Sequence, residues 1–413
     1  LLRLDPHGFK PRVLKRFMGI RPTYRLWPLV LCLGVARFCF NNLSFTGPSG
    51  GQVKQWQPKV ARPASDLVDA GSGRLITACR EGEVEQLMQL LSSGISPDAP
   101  DADGQRPLIA AAALGRGSLV RELLKANADV DIPNQNGATA LIAAAFSGDA
   151  ETLTVLLEAK ASLEAATASG VTALQAAVEG NKTEAIEKLL AAGAEVNTAD
   201  VLGVTALHRA AQFGLLDVAQ ILLDANAEVD VTSEEGFTPL MLAARTGQSD
   251  VMAELLEAGA DMELQDKKGG TALFEAAKFG STEAASLLLA LNASADAIRE
   301  DGATPLMIAA QGGKAGVVLQ LLNNTANNTA TVDLARKDGC TALMFAAMSG
   351  HGPIVSELMK AGADPDTVDV NGVTAIKIAK QNRFPDVVRR LRNAGASGTL
   401  GAGRAVDIND IFT

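Results

Sequence analysis

Aromatic residues are scarce in this chain. One Tyr, two Trp and 13 Phe make up 4% of 413 residues, although hydrophobic residues reach 47%. The apolar content is therefore mostly Ala and Leu, small or straight side chains that suit helices packed close together. Strand-rich folds draw on β-branched and aromatic residues, so an all-α architecture is expected. The length exceeds what one ordinary core uses and leaves two or three domains, or one repeat array.

The residues of most catalytic and metal sites are also few. Histidine occurs only at His7, His208 and His351, with no H-E-x-x-H pattern. There is no G-x-x-x-x-G-K-[ST] loop, no G-x-S-x-G elbow and no kinase signature set, so neither an enzyme nor a cofactor is expected. The four cysteines, Cys32, Cys39, Cys79 and Cys340, include no C-x-x-C pair and no zinc spacing. They read as reduced thiols, which places the body of the chain in a reducing compartment, the cytoplasm first.

Basic charge is sparse outside the N-terminus. Up to Asp66 there are 11 Lys/Arg and 2 Asp/Glu, which leaves 26 of the 37 basic and 45 of the 47 acidic residues for the remainder. A body of that sign does not suit a phosphate backbone, so no nucleic-acid partner is expected.

What is abundant is glycine in register. Gly71, Gly104, Gly137, Gly170, Gly203, Gly236, Gly269, Gly302, Gly339 and Gly372 follow one another at 33 residues, except for a step of 37 from Gly302 to Gly339. The unit explains itself physically. In the stretch from Ser233, Gly236 permits a tight turn of positive φ. Thr238 is placed to cap a first helix, with Pro239 at the next position, where no hydrogen bond is lost. Gly247 breaks that helix, Val251, Leu255 and Leu256 mark a second, and Gly259 ends it. Thr304 and Pro305 repeat the cap. Asn127, Asn226 and Asn292 replace the terminating Gly, and Asn181 the inter-helix one, as Asn tolerates the left-handed region. Lys160 and Arg383 at such positions are expected to be strained.

These motifs resemble the ankyrin repeat family: T-P-L at Thr238–Leu240 and Thr304–Leu306, T-A-L-H at Thr205–His208, and G-A-D at Gly259–Asp261 and Gly362–Asp364. The resemblance covers residues 67–397, about ten repeats. It implies an all-α solenoid of helix-turn-helix units with short β-turn tips, in which the tips and first helices line a concave face. Most members bind proteins, so the implied function is a protein–protein interaction scaffold or adaptor, acting as a monomer on another protein. The same resemblance gives Thr205 and His208 structural roles, the imidazole bridging turns. It also draws attention to Leu189–Asn197, L-L-A-A-G-A-E-V-N, which is similar to the stretch that asparaginyl hydroxylases modify in such repeats. Asn197 would be the acceptor, although it reads first as a structural turn residue.

The flanks differ from the array. Residues 1–46 are basic, with an apolar run at 26–40 that is shorter than a membrane span and contains Pro28 and Arg37. A targeting leader, a membrane anchor and an untargeted extension all stay open for it. On the first two readings the chain is an organelle-targeted or membrane-tethered regulatory subunit. Residues 47–66 are a Pro/Gly-rich linker, and 398–413 form a tail. The last repeat carries Lys377, Lys380, Arg383, Arg389, Arg390 and Arg392, which suits a solvated end.

The positions that the scaffold leaves free flank the turn glycine or end the first helix. In most repeats they are polar. In the middle they turn apolar: Val171, Val201, Leu202, Val204 and Phe237 at the tips, and Phe146, Phe213 and Phe279 at helix ends. In an aromatic-poor chain such a grouping marks the expected partner-binding patch, and the alternative is that these residues cover neighbouring repeats.

Overall fold

The computed structural model describes residues 64–323 and 329–396, with side chains from residue 71. The chain divides between Lys59 and Val60 into two units, and all described residues lie in the second. They form ten helix pairs and no strand. The first helices are Ala64–Glu81, Pro107–Ala113, Ala140–Ser147, Ala173–Glu179, Ala206–Phe213, Pro239–Thr246, Ala272–Phe279, Pro305–Gln311, Ala342–Ser349 and Ala375–Gln381. The second helices are Val84–Ser92, Gly117–Lys125, Ala150–Glu158, Thr183–Ala191, Leu216–Asp224, Ser249–Glu257, Thr282–Ala290, Ala315–Leu322, Gly352–Lys360 and Pro385–Asn393. Each first helix packs on its own second helix and on the first helices before and after it, and second helices likewise stack on one another. That is the all-α repeat solenoid expected from the sequence.

The local rules hold in detail. Thr238 and Thr304 accept hydrogen bonds from the backbone N–H groups of Met241 and Met307, both at 3.3 Å, with Pro239 and Pro305 in the first turn. Gly247, at the end of its helix, has φ +76°. Asn127, Asn181, Asn226 and Asn292 all adopt positive φ, as do Lys160 at +61° and Arg383 at +63°.

From the second repeat to the ninth, first helices are seven or eight residues long and apolar nearly all round because they have neighbours on three sides. One column shows why Ala dominates the composition. Ala111, Ala144, Ala177, Ala210, Ala243, Ala276, Ala309, Ala346 and Ala379 all have 0% exposure. Adjacent first helices approach so closely there that only a methyl group fits. Second helices are amphipathic: Gly117–Lys125 buries Leu119, Val120 and Leu123 and leaves its charges outside.

Two hydrogen-bond ladders join the repeats. At the tips, backbone N–H groups donate to the carbonyl 32 residues earlier: Ala168 to Asn136, Val201 to Ser169, Glu234 to Leu202, Lys267 to Glu235, Glu300 to Lys268 and Val370 to Asp338, at 2.8–3.1 Å. After each of the first eight second helices, a side chain accepts from the next repeat's backbone. Asp98, Asp131, Glu164, Asn197, Asp230, Glu263, Asp296 and Asp333 take the N–H of Asp129, Ser162, Glu195, Glu228, Asp261, Ser294, Thr331 and Asp364, at 2.7–3.1 Å.

One glycine of the register departs from the turn reading. Gly71 lies inside the 18-residue helix Ala64–Glu81. No N-capping Thr follows it, so nothing stops the helix from running through. The other nine register glycines, Gly104 to Gly372, have positive φ. Residues 1–46, the linker up to residue 63 and the tail 398–413 lie outside the described residues. No helix among the described residues is long and apolar enough to cross a membrane.

Candidate protein-interaction face

The tip of the fifth repeat is held from several sides. The Asp200 carboxylate accepts from the backbone N–H of Leu202 (2.8 Å) and of Val204 (2.9 Å) through Oδ1, an Asx turn. Its Oδ2 accepts from Arg209 Nη2 at 2.6 Å, and Arg209 Nη1 reaches the Glu179 carboxylate of the repeat before. All three side chains are largely buried. Burial pushes the Glu179 carboxyl up, and the Arg209 guanidinium works against that. Below the tip, His208 Nδ1 accepts from the Thr205 N–H at 3.2 Å, and Nε2 lies 2.8 Å from the Phe237 carbonyl of the next repeat.

On this fixed backbone Val201 and Leu202 project into solvent, 57% and 59% exposed. Phe213 and Phe279 are exposed at their helix ends. Phe146, Val171 and Phe237 are half-buried and pack on the core, and Val204 is half-buried. Four of the eight expected contact residues are thus open to a partner, and three serve largely as cover for neighbouring repeats.

The two open groups are separate. A first helix of eight residues is about 12 Å long, so tip residues and helix-end residues form two lines along the face. Between them, in repeats six and seven, lies a cluster of charge and rings. The Arg245 guanidinium sits 4.4 Å from the Phe279 ring centre and 5.8 Å from that of Phe237. Lys278 Nζ lies 5.3 Å from the Phe279 ring centre and 3.4 Å from Glu275 Oε1. Glu275 is buried, 1% exposed, beneath them, and its Oε2 has no hydrogen-bond partner. Ring faces attract cations, so the aromatics hold Arg245 in one pose while leaving much of it accessible.

Arg209 and Glu275 were not anticipated as site residues, yet the sequence carried a signal. They occupy the same column of the repeat, where the other units place Ala110, Ala143, Ala176, Leu242, Ile308, Phe345 and Ile378. A charge in an apolar column has to be paired, and each of these is. Val370 at the tenth tip, 71% exposed, was also missed.

Asn197 lies in the acceptor ladder, where its Oδ1 takes the Glu228 N–H at 2.9 Å in the place other repeats give to Asp or Glu. His351 Nε2 lies 3.1 Å from the Gln311 carbonyl. Cys79 and Cys340 are buried free thiols, and burial pushes them up to about 12 and about 11, so neither is a ready nucleophile. Among the described residues no three His, Cys, Asp or Glu side chains are grouped to hold a metal.

No curated protein matches the chain. The family model described as ankyrin repeats (3 copies) matches it four times, over residues 75–167, 162–233, 240–332 and 328–400. Members of that family generally bind other proteins and are typically not enzymes. With nearly the whole array covered by these matches, the chain belongs to the ankyrin repeat family.

Proposed function

We propose that the chain is an interaction scaffold or adaptor that holds another protein along the tips and first helices of repeats three to seven. The observation that carries this reading is the fifth tip. Val201 and Leu202 are exposed, yet their backbone is fixed by Asp200, Ser169 and Glu234. Apolar side chains held rigid before contact lose little entropy on binding, which is what makes a few residues dominate an interface. Phe213, and the Arg245–Phe279 pair beyond it, extend the contact along the helix-end line.

The test is proximity labelling from the full chain, comparing wild type with Leu202→Asp plus Phe213→Asp. Met88→Asp is the control, an equally exposed residue on the second helix of the first repeat. Leu202 and Met88 are largely solvated and Phe213 is 37% exposed at a helix end, so both variants should stay folded, which thermal melting checks. The double variant should lose a defined set of labelled proteins by about tenfold or more, and the control should keep them. An unchanged labelling pattern in the double variant would remove this face as the interface.

A further inference from the structure

We propose that the C-terminal segment Val406–Phe412 docks in cis on the end face of the tenth repeat. Among the described residues no further repeat covers that face. Lys380 stands where the eight preceding repeats bury an Ala or Val, such as Ala310 and Ala347 at 0% exposure. A repeat stacked on this face would have to bury its ammonium, which disfavours further stacking there. The face is nevertheless not fully polar. A groove of about 720 Å³ opens on it, floored by Ala379, Phe384 and Val388 and rimmed by Lys380, Arg383 and Arg392. Asp386 pairs with Arg389 and Arg390. The three rim cations have no ion-pair partner among the described residues.

The segment that follows has the complementary chemistry. It reads V-D-I-N-D-I-F and lies outside the described residues. Ile408, Ile411 and Phe412 have the i, i+3, i+4 spacing of one helical face, and Asp407 and Asp410 sit beside them. The apolar three match the groove floor, and the two carboxylates match the unpaired rim. Reach is sufficient. Nine residues, Ser397–Ala405, separate Ala396 from the segment, and extended they span up to about 30 Å. The helix Pro385–Asn393 beside the groove is only about 13 Å long.

The test uses the full chain with Phe412 replaced by the photo-crosslinker p-benzoylphenylalanine, in a mixture of isotopically light and heavy protein. Crosslinks should fall on residues 379–393 and join light to light and heavy to heavy. Lys380→Glu plus Arg392→Glu should cut their yield about tenfold. Adding Asp407→Lys plus Asp410→Lys should restore it. Crosslinks that land elsewhere, that join light to heavy, or that ignore the charge reversal would each overturn the proposal.

Discussion

His208 shows how much one side chain settles when both its neighbours are fixed. Its Nδ1 accepts from the Thr205 N–H, so the proton is on Nε2 and is donated to the Phe237 carbonyl. Burial lowers its pKa from an ordinary 6.5, with the Phe237 hydrogen bond pulling the other way. The unfolded chain therefore binds the proton first as pH falls below about 6.5, and the folded array loses stability in that range. We expect the urea midpoint to drop between pH 7 and pH 5. His208→Gln should flatten the drop, because Gln175 already fills the same place one repeat earlier. Its Oε1 accepts from the Thr172 N–H at 3.1 Å, and its Nε2 donates to the Val204 carbonyl at 2.9 Å. Equal slopes for the two proteins would show that this imidazole is not the titrating group. The role of His208 was legible in T-A-L-H. Arg209 beside it was not read, because its partners Asp200 and Glu179 come from nine and thirty residues away and meet only once the repeats stack.

At the scale of the element, the question is what makes a tip a tip. Gly203 has φ +72°, and a Cβ there would stand 2.8 Å from the backbone nitrogen of Glu234 in the next repeat. Gly259 has φ +96°, but a Cβ would meet nothing within 4 Å. Ala at Gly259 thus costs only the left-handed backbone, about 1 kcal/mol. Ala at Gly203 adds a clash with neighbouring backbone and should cost about 2–3 kcal/mol. Equal losses in urea denaturation would mean that tip stacking carries no energy. The two glycines look alike in the sequence. Their period told where the turns lie, and caps such as Thr238-Pro239 told where helices begin. Neither showed which glycines also make room for a neighbour. Gly71 marks the opposite limit: it kept the spacing but lacked a following cap, and the helix passed through it.

For the array as a whole, every substantial contact between helices of the described residues is within one repeat or between adjacent repeats. Stability is then a sum of repeat terms and nearest-neighbour interfaces. Leu207 is 1% exposed in the fifth first helix, and Leu207→Ala should cost about 2–5 kcal/mol locally. Weakening the middle of such a stack should split one unfolding transition into two, with a lower slope at each. Segment-resolved hydrogen exchange would place the break at repeats four to six. A single transition with an unchanged slope would mean that cooperativity reaches beyond neighbours. The solenoid was legible in ten glycines and a set of caps. The exposed apolar positions of the proposed face were half legible, because exposure at a tip depends on how the adjacent repeat covers it.

The ladders have a consequence for how the chain is made. Each tip bond spans 32 residues and each acceptor bond 31, or 35 across the insertion. No native bond of either kind waits for a distant part of the sequence. Loop closure is therefore repeated at small cost along the chain and never paid once at large cost. A repeat leaving the ribosome needs only the repeat before it as a template. The array can be completed in the order in which it is translated.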